Sequence, residues 1–493
     1  MAHGEHDIEL EPGDKQKLDH LAWPAYRSGF VVGGVALLLA LIVAVLVDHG
    51  GQKLAYAYLI AVAFALALAL GSMFFVLLTH LFRAGWCVLV RRVFEAQAAN
   101  LGVVAILLVP IVAVVATENG ILYGWNHPES RLAAAAHHGG HDGDHGEGEA
   151  HAAATDLEIT HIADDAASAA AEASHDGHAA DAADDGGYVA GPEVAGSLEA
   201  GATAYYALQK RPYLNRVFFL LRIAGFVAIW AWIGHVFWKR SLKQDEDNDV
   251  RHSVWREKWS APLTLLAALT VTFGAFDLLM SLDPAFYSTI FGVYYFAGAF
   301  LLALSWGVLS LRWLQSKGLL PSVNVEHYHD LGKLMFAFVF FWGYIAFSQY
   351  MLIWYANLPE VTYWLEAHGM STDSASPFSG TGWSVIAIVL LFGHLLIPFA
   401  GLLSRRFKRN PFTLSFWALW LVVMCYVDLY WVARPVLSFY GVGWDWTDAV
   451  LGLLCAVGVM GVFVAGVARR LANAPLTPLH DPRLGESLAL RQI

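Results

Sequence analysis

About ten stretches of roughly 20 predominantly apolar residues punctuate this chain, and each is long enough to cross the hydrocarbon core of a bilayer as a helix. They fall near 28–47, 54–79, 97–116, 216–238, 260–281, 288–311, 331–356, 382–403, 412–433 and 448–468. In lipid the backbone must satisfy its own hydrogen bonds, so the pattern predicts an all-α polytopic membrane protein. The third run contains Pro110, which is expected to bend the helix unless a neighbour satisfies the freed carbonyl. Trp and Tyr gather at the run ends (Trp23, Tyr26, Trp238, Trp255, Trp259, Trp354, Tyr355, Trp383, Trp444 and Trp446), as in an interfacial belt.

Orientation follows from the basic residues. All but seven of the 30 Lys and Arg residues fall on the amino-terminal side of an alternating ten-span pattern. The exceptions are Lys53, Arg131, Lys210, Arg211, Arg216, Arg222 and Arg434. The positive-inside bias then puts both termini in the cytoplasm. The division expected is a cytoplasmic tail over 1–27, spans one to three over 28–116, an outside segment over 117–215, spans four to ten over 216–468, and a cytoplasmic tail over 469–493. The first apolar run follows a long polar start and exceeds the core of a signal peptide, so it reads as a retained helix.

Charged residues make up 15% of the chain, against about 25% in soluble domains. The net charge of −12 does not describe a uniformly acidic surface, because acid concentrates in the outside segment. There, 131–203 is mostly Ala, Gly, His and Asp, as in His137, His138, His141, Asp142, Asp144 and His145. Such a low-complexity stretch has too little apolar area to order itself. Its His and Asp side chains suit capture of zinc, copper or nickel, yet their spacing is irregular and defines no coordination site; a solvated linker is the simpler reading. A helix-prone stretch around 205–211 leads back to the membrane. Nothing points to nucleic acid.

Cys87, Cys425 and Cys455 each stand alone in or beside an apolar run, without a CxxC or CxxCH, so iron–sulfur clusters and c-type haem find no ligand motifs. Nor does any run hold two histidines spaced to bind b-type haem. The chain is expected to carry no redox centre and no metal.

Ionisable groups inside a membrane are costly and are functional candidates, with locked helix packing as the alternative. Arg222, Asp277, Asp283, Gln349, Asp428 and Arg434 form an outer set; His235, Glu326, His327, His329, Asp330 and Lys333 form an inner set; His394 falls between. Two half-channels meeting at a relay would look like this, as would two layers of snorkelling side chains. Asp277 and Asp428 need Arg222 or Arg434 nearby, or else they carry a proton. The expected proton path therefore comprises Asp277, Asp283, His327, His329, Asp330, Lys333, His394 and Asp428, with Arg222 and Arg434 as counter-charges. Aromatic density in spans six and seven suits a quinone ring and tail, and His394, Tyr344, Gln349 and Trp354 are the candidate quinone contacts.

Several segments resemble a known family. Arg251-His-Ser-Val-Trp-Arg-Glu-Lys-Trp-Ser-Ala-Pro262, Phe276-Asp277-Leu-Leu-Met-Ser-Leu-Asp283-Pro, Val323-Asn-Val-Glu326-His327-Tyr-His329-Asp330-Leu-Gly-Lys333 and Phe347-Ser-Gln349-Tyr-Met-Leu-Ile-Trp-Tyr-Ala-Asn357-Leu-Pro-Glu360 resemble the second large membrane subunit of bacterial alternative complex III. That subunit belongs to the polysulfide-reductase (NrfD-like) superfamily. The strong similarity covers about 251–364, and the span pattern extends it; the His/Asp/Ala-rich segment departs from it. The resemblance implies two four-helix bundles plus two further helices. It implies a place in the bacterial inner membrane, within a quinol:electron-acceptor (cytochrome c) oxidoreductase. The expected partners are multihaem cytochrome c subunits, an iron–sulfur, molybdopterin-like subunit and a paralogous membrane subunit. It further implies menaquinone or ubiquinone as cofactor and a role in proton translocation, with quinol oxidation best placed in the paralogue. Two other readings remain: a proton-coupled secondary transporter, for which no paired interrupted segments are visible, and a purely structural scaffold of the same complex.

Overall fold

The computed structural model describes residues 13, 17–48, 51–117, 120–126, 209–371, 376–438 and 442–490. The His/Asp-rich stretch at 137–145, and most of the segment around it, lies outside the described residues. Among the described residues there are ten helices long and apolar enough to cross a membrane. They are α1 Leu21–Val47, α2 Gln52–Leu81, α3 Val88–Ala116, α4 Arg216–Asp247, α5 Arg251–Leu282, α6 Phe291–Ser316, α7 Val325–Ala356, α8 Gly382–Leu403, α9 Pro411–Ser438 and α10 Trp446–Ala472. No strand occurs among these residues, only two isolated bridges. One of these, between Lys17 and Pro475, shows that both ends of the described chain lie on one side of the bundle.

Helices α2 to α5 close one four-helix bundle and α6 to α9 a second, with α1 and α10 paired against the first. The two bundles meet along α2 and α6, which explains why every residue in the apolar window of α2 is buried. That contact needs a glycine, since a Cβ on Gly71 would sit 2.1 Å from the Ala299 carbonyl oxygen. The α1–α10 pair is equally close: Gly29 and Gly33 face Gly461 and Gly458 backbone to backbone. Small residues four apart are how helices approach in lipid, where apolar burial drives little. The outward faces are apolar and exposed, as at Leu38, Val45, Leu265, Phe340 and Leu453, and present themselves to acyl chains.

Most span boundaries differ from the sequence expectation by a turn or two. One difference matters. The third span starts at Val88 rather than near 97, so Arg91 and Arg92 lie buried in helix rather than in a loop. Their side chains are neutralised by Glu95 on the same helix, Asp245 at the end of α4 and Asp481 in the C-terminal segment. With those partners, two guanidiniums no longer forbid a buried helix. Pro110 sits within an uninterrupted helical stretch, Leu101–Ala116, and the Tyr58 hydroxyl donates to the Leu107 carbonyl at 2.8 Å in the turn ahead of it. Asn100, between the two halves of α3, donates to the Phe463 carbonyl of α10 at 2.9 Å.

Candidate functional site

The second bundle holds a carboxyl group deep in the protein. Asp428 on α9 is buried, and its partners are neutral: the Tyr294 hydroxyl of α6 donates to Oδ1, and the Trp342 indole of α7 donates to Oδ2 at 3.2 Å. The Trp342 ring stacks on His394 of α8, with centroids 3.9 Å apart. The His394 Nε2 lies 3.7 Å from the Cys425 thiol, one helical turn from Asp428 on α9. The His394 Nδ1 is buried without a hydrogen-bond partner. Four helices thus bring one carboxyl, one phenol, one indole, one imidazole and one thiol together.

A local feature of α8 places the imidazole. Residues Leu391–Leu396 form a π-helical turn ahead of Pro398. In such a turn the Gly393 carbonyl would pair with the N–H five residues on, but that residue is proline and has none. The Trp420 indole of α9 supplies the missing donor at 2.6 Å. Gly393 also lets α8 lie against Met424, because a Cβ there would meet the sulfur at 2.8 Å. A cavity of ≈ 20 Å³ lies next to the carboxyl, lined by Asp428, Tyr294, Cys425, Gly298 and Phe291 among others. It is large enough for about one water, and the polar groups needed to hold it are present.

Toward the side opposite the chain ends, a second group of polar residues approaches this one. Asp283, just beyond α5, is buried and accepts from the Tyr363 hydroxyl and, at 3.0 Å, from the Ala285 N–H. Burial pushes its carboxyl up, against the hydrogen bonds and the nearby Lys210 ammonium, which hold it down. Tyr363 lies on the short helix Pro359–Ala367, and His368 follows it. The His368 ring is fully buried, stacked on Trp364 at 3.7 Å, and burial pushes its imidazole down to about 4. Its Nδ1 lies 2.6 Å from the Trp364 carbonyl and its Nε2 3.2 Å from the Val432 carbonyl, one turn of α9 from Asp428. Gln349 accepts from Ser288 at 3.2 Å on the same side.

Asp277 and Arg434, expected in the proton path, are engaged differently. Arg222 grips Asp277 with two hydrogen bonds of 2.7 and 2.8 Å, and its guanidinium stacks on Tyr213 at 3.8 Å. Such bidentate pairs are strong and directional. Arg434 does not serve Asp428; it donates to Asp448 of α10 at 2.6 Å and to the carbonyls of residues 442 and 443. Of the two membrane carboxylates singled out from sequence, Asp277 has a cation and Asp428 has none among the described residues.

On the side of the chain ends, the start of α7 is a capped interfacial helix. Asn324 caps it, with His327 closing a capping box and reaching Ser487 of the C-terminal segment at 3.1 Å. Glu326 pairs with Arg409, His329 lies 3.8 Å from Glu326, and Asp330 pairs with Lys333 at 2.5 Å. His235 faces outward. From Lys333 to Trp342, Leu334–Phe341 carries no polar side chain of its own over about 14 Å at 1.5 Å per residue, and the Lys408 ammonium lies 4.8 Å from the Phe336 ring within it.

The four candidate quinone contacts differ in burial and partners. His394 and Gln349 are buried in separate places, whereas Tyr344 and Trp354 are 57% and 40% exposed on the lipid-facing side of α7. From sequence, Tyr294 and Trp342 counted only within the aromatic density of spans six and seven and Cys425 only as a lone thiol, while Tyr363 and His368 were not singled out. Sequence reasoning also missed a cluster at the chain-end side of the first bundle, where Arg91, Arg92 and Arg256 interlock with Glu95, Asp245 and Asp481. Gln244 accepts from Arg256 and from Ser253.

The sequence matches no family model, and no curated protein matches it.

Proposed function

We propose that this chain is a proton-handling membrane subunit of a bacterial quinol-oxidising respiratory complex of the alternative complex III type. The sequence motifs of 251–364 support the assignment to that complex. The observation that carries the proton reading is Asp428: a buried carboxyl bonded by a phenol and an indole, with an imidazole one ring away. Because no cation fixes its charge, Asp428 can take up or release a proton without breaking an ion pair. Tyr363, His368 and Asp283 offer it a route to the periplasmic side, with a water in the adjoining cavity as the first carrier. Toward the cytoplasm, the apolar residues 334–341 of α7 separate it from Asp330 and Lys333, with the Lys408 ammonium reaching in as far as Phe336. Exchange on that side then requires transient wetting, which would let the site face one side at a time.

Under this reading quinol oxidation belongs to the paralogous membrane subunit, since the groups of this chain that would contact a quinone lie apart. Movement of one charge across 100 mV corresponds to about 2.3 kcal/mol, so the redox reaction next door would have to drive the exchange at Asp428. Affinity purification of the tagged chain from its native membranes tests the assignment. It is expected to bring down covalently bound haem c, an iron–sulfur protein and quinol-dependent cytochrome c reductase activity. Isolation of the chain alone, with proton-driven solute flux in vesicles, would favour a transporter instead.

A further inference from the structure

The α1 helix is held mainly by α10, through the glycine contact, and stands off from α3 and α4. The gap is a cleft of ≈ 640 Å³, within the size range of small-molecule sites. Its length is apolar, with Phe30, Ile106 and Val462 on its walls. Its end on the side of the chain termini is basic, formed by Arg469, Arg470 and Asn473. Tyr26 and Trp238 line it as well, residue types that favour the headgroup level. No carboxylate lines the cleft, and among the described residues neither arginine forms an ion pair. The Arg470 Nε is buried without a hydrogen-bond partner.

We propose that this cleft holds one anionic phospholipid, its phosphate between Arg469 and Arg470 and an acyl chain along Phe30, Ile106 and Val462. A phosphate diester supplies the acceptors that the two guanidiniums lack, and guanidinium–phosphate pairs are among the stronger hydrogen bonds. Basic pockets between membrane helices at the cytoplasmic face commonly take such headgroups. A quinone would fill the apolar length, and a carbonyl of its ring could accept from one guanidinium, but it brings no negative charge to balance two. A partner helix would need an acidic residue at this depth. The lipid answers both ends of the cleft, and the proposal is independent of the proton reading.

Native mass spectrometry of the delipidated full-length protein, titrated with phosphatidylglycerol or with phosphatidylcholine of the same acyl chains, tests it. One phosphatidylglycerol is expected to stay bound at activation energies that strip phosphatidylcholine. In the doubly substituted Arg469→Gln/Arg470→Gln protein its retention should fall about tenfold, as loss of a charge-assisted pair implies, while Arg405→Gln/Arg406→Gln should leave it unchanged. Ile106→Trp, which keeps the basic end and narrows the apolar length, should weaken retention as well. Equal retention of the two lipids, an equal loss in the Arg405/Arg406 control, or a quinone or a partner helix found in the cleft would overturn the proposal.

Discussion

Glu95 in the first bundle and Asp428 in the second are both carboxylates sealed inside helices, 1% and 4% exposed, yet their surroundings differ in kind. Glu95 lies in a cluster where three guanidiniums meet three carboxylates: Arg91 at 3.0 Å, Arg256 at 3.5 Å and Arg92 at 3.7 Å from its oxygens, with Asp245 and Asp481 completing the balance. Asp428 has a phenol and an indole. The first arrangement fixes every charge and ties four segments of chain together. In the second the charge is left to the proton. Burial alone therefore does not tell these two carboxylates apart; the identity of their partners does.

The cluster also anchors the C-terminal segment. The Leu479 N–H donates to Asp245 at 2.9 Å, Gln244 donates to the His480 carbonyl at 2.9 Å, and Ser487 donates to the Trp86 carbonyl at 2.8 Å. Burial pushes the Asp481 carboxyl up, but the Arg91 and Arg256 guanidiniums outweigh it and hold the group below the usual carboxylate range. Asp283 goes the other way, raised by burial with a hydroxyl, backbone N–H groups and the Lys210 ammonium to oppose it.

The largest effect is expected from opening the cluster. Arg92→Met leaves Glu95 and Asp245 short of a cation and should destabilise the protein by about 3–5 kcal/mol, read as a lowered melting temperature in detergent. Adding Asp245→Leu should restore much of that loss, because an apolar replacement of a buried pair is often neutral. If the double variant were no better than the single one, the cluster would not act as a set of pairs. Asp428→Asn should change stability by only about 1 kcal/mol, since the Asn amide oxygen can still accept from the Trp342 indole while its NH2 donates to the Tyr294 hydroxyl oxygen. A destabilisation equal to that of Arg92→Met would erase the contrast between the two sites.

Acid sharpens it further. His368 is held near 4 when folded, against 6.5 for an unperturbed imidazole, so the unfolded chain binds its proton first. Its contribution is complete at neutral pH and is lost as the pH falls from about 6.5 toward 4. Asp481, with a lowered folded value, keeps its contribution until the pH drops below the ordinary carboxylate range. Melting temperature against pH should thus fall in two stages, and His368→Gln should flatten the upper one. An effect as small as that of Asp428→Asn is expected for Trp420→Phe, which removes the donor to the Gly393 carbonyl at the π-turn and should cost about 1 kcal/mol.

The spans were legible because each needs its own run of about 20 apolar residues, a local requirement. The start of α3 was not, since Arg91 and Arg92 become tolerable in a buried helix only through Asp245 and Asp481, which lie far along the chain. Asp428 and His394 stood out as polar residues in apolar helices. The groups around them did not: in an aromatic-rich chain, Tyr294 and Trp342 look like any packing residues until the fold shows which carboxyl they face. The same aromatic density runs over both the buried and the exposed sides of α7, and sequence alone could not tell that Tyr344 and Trp354 point outward.

The most direct test of the proposed role is the number of protons released per electron when the proposed complex, purified and sealed in vesicles, oxidises quinol. With Asp428→Asn, electron transfer should continue while the proton yield falls to that of quinol oxidation alone, and with Asp330→Asn the yield should fall less. An unchanged proton yield in the Asp428→Asn complex would contradict a proton-handling role for the second bundle.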